Sequence, residues 1–79
     1  MKMFATALKG RRVVTIEGEE LGDIDTVVVD IKSGSIEHLL ITPLETVDAK
    51  LFKTDTQGRL VLPFSSIKSI KDVAIMELK

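Results

Sequence analysis

His38 is the only histidine of this 79-residue chain, and there is no cysteine. A single imidazole has no second imidazole or thiolate with which to hold zinc, and no serine or cysteine constellation surrounds it. It lies on what reads as a strand, beside apolar Leu39 and Leu40, so we expect a half-exposed strand residue. Asp23, Asp25 and Asp30 form an acidic group. A calcium loop would need further oxygen ligands, a glycine at its sharp turn and a distal glutamate. Thr26-Val27-Val28 follows instead. Asp30 stands just before a turn, where aspartate bonds the local backbone. Gly18 and Gly22 flank a hairpin with no Gly-Lys-Ser/Thr after them, so they make no phosphate loop. Lys9-Gly10-Arg11-Arg12 is the one basic cluster, but there is no Tyr or Trp to stack on a base, and Phe4, Phe52 and Phe64 are scattered. We therefore expect a solvated basic turn, no catalytic, cofactor or metal residues, and no enzyme.

Composition bounds the partners further. Eleven Lys plus Arg against twelve Asp plus Glu leave a net charge of −1. A dedicated nucleic-acid binder usually carries a clear basic excess, and an anionic membrane needs one too. Met1–Ala5 is too short an apolar run for a signal peptide, and no stretch reaches the ~18 apolar residues of a membrane span. The absence of cysteine fits a reducing cytoplasm, where we place the protein. The length allows one domain, residues 1–79, and a domain this small has a limited core. Packing, with oligomerisation as a further aid, must supply what disulfides do not.

The elements that would position these residues are short strands. Val13–Ile16 is β-branched throughout and is followed by a turn at Gly18. Leu21–Ile31 alternates with period two, Leu21 sharing the phase of Val27, Val29 and Ile31 while Ile24 does not. One extra residue within Asp23–Thr26 reconciles them, which predicts a β-bulge or sharp bend there. A tight turn at Gly34 leads into Ile36–Thr42, with Leu39 and Ile41 on one face, His38 and Leu40 on the other, and Pro43 as its end. Arg59–Leu62 reads as a strand stopped by Pro63, Phe64–Ile67 as a helical turn with Ser65 as a candidate cap, and Ile67–Ile70 and Val73–Met76 as closing strands. Such a series indicates a small barrel or sandwich.

Leu44–Gln57 lacks this alternation. Leu44, Val47 and Leu51 stand at helical spacing, with Phe52 adjacent, so the segment reads as either a short helix or a long semi-ordered loop. These four side chains either cap an open barrel end or form an apolar lip for a partner or a second subunit.

The order of the pieces resembles a known family. Leu8–Thr15 leads into Glu17-Gly18-Glu19-Glu20-Leu21-Gly22; then come Ile24–Asp30, Ser33-Gly34-Ser35, Leu39-Leu40-Ile41 and Leu62–Ile67 before a closing strand. This pattern is similar to the PRC-barrel family, from about Leu8 to the C-terminus. The resemblance implies a mainly β fold, a small closed or partly open antiparallel barrel of about six strands. In it Gly18, Gly22 and Gly34 are turn or close-approach positions and Asp30 stabilises a turn. Members include the cytoplasmic domain of the reaction-centre H subunit, the C-terminal domain of a 16S rRNA-processing protein that binds a ribosomal protein, and short stand-alone archaeal proteins, some of them linked to cell division; this chain resembles the stand-alone archaeal type most. The resemblance implies a non-catalytic protein–protein interaction or scaffold module, with a homo-oligomer as one form. The alternatives are a ribosome- or rRNA-processing-associated factor and a small-ligand- or metal-responsive domain built on Asp23, Asp25 and Asp30.

Overall fold

The structure, a computed structural model, describes residues 5–77. The Met1–Ala5 run and Phe4 therefore fall wholly or almost wholly outside the described residues. A single helical turn, α1 (Ala5–Leu8), precedes six strands: β1 (Arg12–Thr15), β2 (Glu20–Val29), β3 (Ile36–Pro43), β4 (Leu60–Pro63), β5 (Ile67–Ile70) and β6 (Val73–Met76). They form one sheet in the order β4-β3-β2-β1-β6-β5. The sheet is mixed rather than all antiparallel: β1 runs parallel to β6, with Val13 opposite Ala74 and Thr15 opposite Met76. The other pairings are antiparallel: β1–β2, β2–β3 and β5–β6 are hairpins joined by short turns, while β3 and β4 are joined by the longer connection of residues 44–59. The ladder is open between β4 and β5, so the barrel is partly open. A 3₁₀ turn, Phe64–Ser66, bridges that gap and packs Phe64 against the core. Ser65 does not cap it; Pro63 precedes the turn and no side chain bonds its first amides.

The phase mismatch in β2 has the expected cause. Ile24 pairs with Ile41 and Thr26 with Leu40, so Asp25 is the extra residue of a bulge. The bulge returns both Ile24 and Val27 to the core side. A second irregularity lies at Leu21, because Val13 faces Gly22 while Val14 faces Glu20. The strand ends at Val29, two residues short of the expected Ile31. Asp30 starts the turn: its carboxylate accepts from the Lys32 N–H at 2.9 Å, and its carbonyl accepts from the Gly34 N–H at 2.8 Å. Ile31 is left at the hairpin tip, 97% exposed.

Gly22 sits where β2 and β3 come closest. Its φ is +157°, and a Cβ built there would run into the Thr42 carbonyl and lie 3.0 Å from the Ile41 Cγ2. Around this crossing Leu8, Val13, Leu21, Ile24, Leu39, Ile41, Leu60, Leu62, Ile70, Ala74 and Met76 form the buried core. Burial of these side chains is the main stabilising term for a chain with no disulfide.

Candidate interaction face

The structure divides Leu44, Val47, Leu51 and Phe52 between the cap and the lip readings. Leu44–Gln57 is neither a helix nor a featureless loop. It contains a turn closed by the Val47 N–H on the Leu44 carbonyl, then a 3₁₀ turn at Ala49–Leu51 capped by the Asp48 carboxylate, which accepts from the Lys50 N–H at 3.0 Å. These breaks rotate the four residues apart. Val47 and Phe52 pack on the core, Leu44 is half-buried, and Leu51 points outward, 79% exposed.

The acidic group is likewise divided. Asp23 accepts from Arg12 Nε at 2.6 Å, while Glu20 accepts from Arg12 Nη1 at 2.9 Å. Asp25 accepts from Arg59 Nη1 at 2.6 Å and from the Thr26 hydroxyl at 2.9 Å. Those two bonds, the arginine's first, hold the Asp25 carboxyl below the ordinary carboxylate range. Asp55 accepts from Arg59 Nε at 2.7 Å and from the Gln57 and Arg59 backbone amides. Desolvation opposes its charge, and these hydrogen bonds outweigh that and hold it low as well. Asp30 serves its own turn. Among the described residues no three acidic or histidine side chains gather to hold a metal ion.

The two arginines of the basic cluster are engaged inside the molecule, while Lys9 is exposed. Arg11 donates to the Ala7 carbonyl at 2.9 Å and to the Lys71 carbonyl. With Arg12 and Arg59 engaged as above, all three arginines of the chain have protein acceptors. Gly18 and Gly34 occupy turns at φ +88° and +73°.

The register brings together a group that no single segment displays. Thr26, Leu40 and Val61 stand directly opposite one another across β2, β3 and β4, and Val28, His38 and Pro63 form the next such row. Residues opposite in a ladder share a face, as do residues two apart along a strand. The intervening Val27, Leu39 and Leu62 face the core, so these six face outward. The patch carries no carboxylate or ammonium; its one titratable member is His38, with a side chain 41% exposed and Nδ1 4.0 Å from Glu37. One end is bordered by the Arg12–Asp23 and Asp55–Arg59–Asp25 ion pairs, in which three carboxylates hold both guanidiniums. Alternation already put His38 and Leu40 on one face; the contribution of Val61 and Pro63 depends on the β3–β4 register, which carries no local signal.

The sheet edge next to this face is closed to strand addition. The outward Val61 N–H is taken by the Lys53 carbonyl at 2.8 Å, and Pro63 has no N–H.

Comparison with known proteins bears on the fold. No curated protein matches the chain. Among solved structures, a protein from Pseudomonas aeruginosa described as the 16S ribosomal RNA processing protein RimM superposes with a TM-score of 0.67 at 14% identity. The match covers 98% of this chain and 44% of that one, so the chain spans less than half of its length. At that identity the likeness speaks for the fold. The PRC-barrel domain model matches residues 1–78, nearly the whole sequence. With a six-stranded, partly open barrel to match, the chain belongs to the PRC-barrel domain family.

Proposed function

We propose that this chain is a non-catalytic protein–protein interaction module that docks a partner on the outer face of β2, β3 and β4. The observation that carries the reading is the two-row face of Thr26, Leu40, Val61, Val28, His38 and Pro63, apolar apart from one hydroxyl and one imidazole. A face about 10 Å across is the size of an interface centre, where a few desolvated apolar side chains supply most of the binding energy. Its occupant is a protein surface of matching character. A polyanion finds no free guanidinium beside it, because the bordering arginines are held by Asp23, Asp25 and Asp55. The blunted β4 edge favours docking onto the face over strand addition. The family's stand-alone members suggest a setting in cell division or a membrane-associated assembly. No helix among the described residues is long and apolar enough to cross a membrane.

The test is capture from native lysate of the source organism, with and without nuclease, by the wild-type chain and by Leu40→Glu. A nuclease-resistant partner that Leu40→Glu loses supports the proposal; a partner that Leu40→Glu retains removes it. A self-associating wild type that Leu40→Glu renders monomeric makes a second copy the occupant. The second reading, a ribosome-associated factor, draws on the fold likeness to RimM. Ribosomal components that disappear with nuclease would put it first.

A further inference from the structure

The connection between β3 and β4 is built differently from the rest of the molecule. None of residues 44–58 is fully buried, and its apolar contact with the core is limited to the part-buried Val47, Ala49 and Phe52. Its backbone hydrogen bonds are local: Val47 N–H to the Leu44 carbonyl, Leu51 to Asp48, Phe52 to Ala49 and Gly58 to Asp55. It joins the barrel by backbone only at its two roots, where the Leu44 N–H meets the Leu21 carbonyl and Lys53–Asp55 lies along Arg59–Val61. Among the described residues the only side-chain hydrogen bonds from the stretch 44–59 to the remainder of the barrel are those of Arg59, to Asp25 at 2.6 Å and Thr26 at 3.2 Å. The same guanidinium holds Asp55 in the connection itself. Asp25 is the bulged residue of β2, so the bulge places a carboxylate where Arg59 can reach it.

We infer that residues 44–58 form a latched strap that opens as a unit ahead of the barrel, that Arg59 is its latch, and that its opening bares the outer edge of β4. Segments with few buried apolar contacts and mostly local hydrogen bonds open at lower free energy than the core they cover. When the strap lifts, Lys53 leaves the Val61 N–H, and the side of β4 next to the docking face becomes an open sheet edge able to accept an extended segment. Closed, the strap acts as an intramolecular occupant of that edge. The inference does not depend on the docking face and stands or falls separately from it.

The experiment is native-state amide exchange at low urea concentrations on the full chain. The N–H groups of Phe52, Gly58 and Val61 should share one opening, with a common urea dependence weaker than that of the β2–β3 ladder and a frequency at least about tenfold higher. Arg59→Gln should raise the frequency of the strap opening roughly threefold. Asp25→Asn, which cuts the same link from the other side, should raise it to a similar degree, and the double variant should add little. Exchange of these amides together with the ladder, on one urea-sensitive isotherm, overturns the strap. Unchanged strap opening in both variants overturns the latch. Slow Val61 exchange beside fast Phe52 and Gly58 exchange overturns the edge opening.

Discussion

Replacement of Gly22 by alanine should be the most damaging small change available in this fold. The backbone at Gly22 has φ +157°, outside the range of an L-residue, which adds about 1–3 kcal/mol of strain for any side chain. The new Cβ would also collide with the Thr42 carbonyl, lying 2.9 Å from its carbon and 3.0 Å from the Ile41 Cγ2. The carbonyl belongs to β3, which is held on both sides by β2 and β4, so it cannot move alone. Overpacking of this kind costs about 1–3 kcal/mol more. The sum, about 2–6 kcal/mol, is a large share of the roughly 4–12 kcal/mol a chain of this length commands. Gly34→Ala is the matched control: φ is +73° there too, but nothing lies within 4 Å of the added Cβ. Its cost should stay near the left-handed backbone term alone, about 1–2 kcal/mol. Urea denaturation followed by far-UV circular dichroism reads both, with the midpoint difference times the common slope giving the gap. A Gly22→Ala variant no less stable than Gly34→Ala would refute the close-approach argument.

Three further outcomes follow from the same geometry. Asp25 and Asp55 are held below the ordinary carboxylate value of 3.8, so the stability they lend is present above about pH 4 and is lost as pH falls through their folded values. The gap in urea midpoint between wild type and Arg59→Gln should therefore shrink from pH 7 to about pH 2.5, and a constant gap would contradict the ion-pair assignment. Leu39, fully buried, should cost about 2–5 kcal/mol as Leu39→Ala, while Leu51→Ser, at an exposed position, should stay within about 0.5 kcal/mol by thermal unfolding. Val61→Thr keeps a β-branched outward residue and should leave the fold intact while weakening partner capture about tenfold; undiminished capture would place the contact elsewhere.

The part of this fold legible in the sequence is the part written in local pattern. The phase break at Ile24 marked a bulge within four residues, and the register locates it at Asp25. Alternation separated Leu39 and Ile41 from His38 and Leu40, and the turn at Gly34 set the β2–β3 hairpin. The β1–β6 pairing was not legible, because a parallel contact between residues some sixty apart has no local signature. The helical spacing of Leu44, Val47 and Leu51 misled for the opposite reason. Spacing assumes one continuous helix, and the backbone there is broken into two short turns, the second capped by Asp48. The arginine clamps also escaped notice, since Arg12 and Arg59 find their carboxylates across the sheet. Four of the six residues of the proposed docking face, those on β2 and β3, were visible as alternation; the two on β4 required the register.

The most direct test of the interaction face is site-specific photo-crosslinking in cells, with benzoylphenylalanine placed at position 40 and, separately, at position 51. The account predicts a discrete protein adduct from position 40 and none of comparable yield from position 51. No protein adduct at position 40, or adducts to RNA in its place, would contradict it.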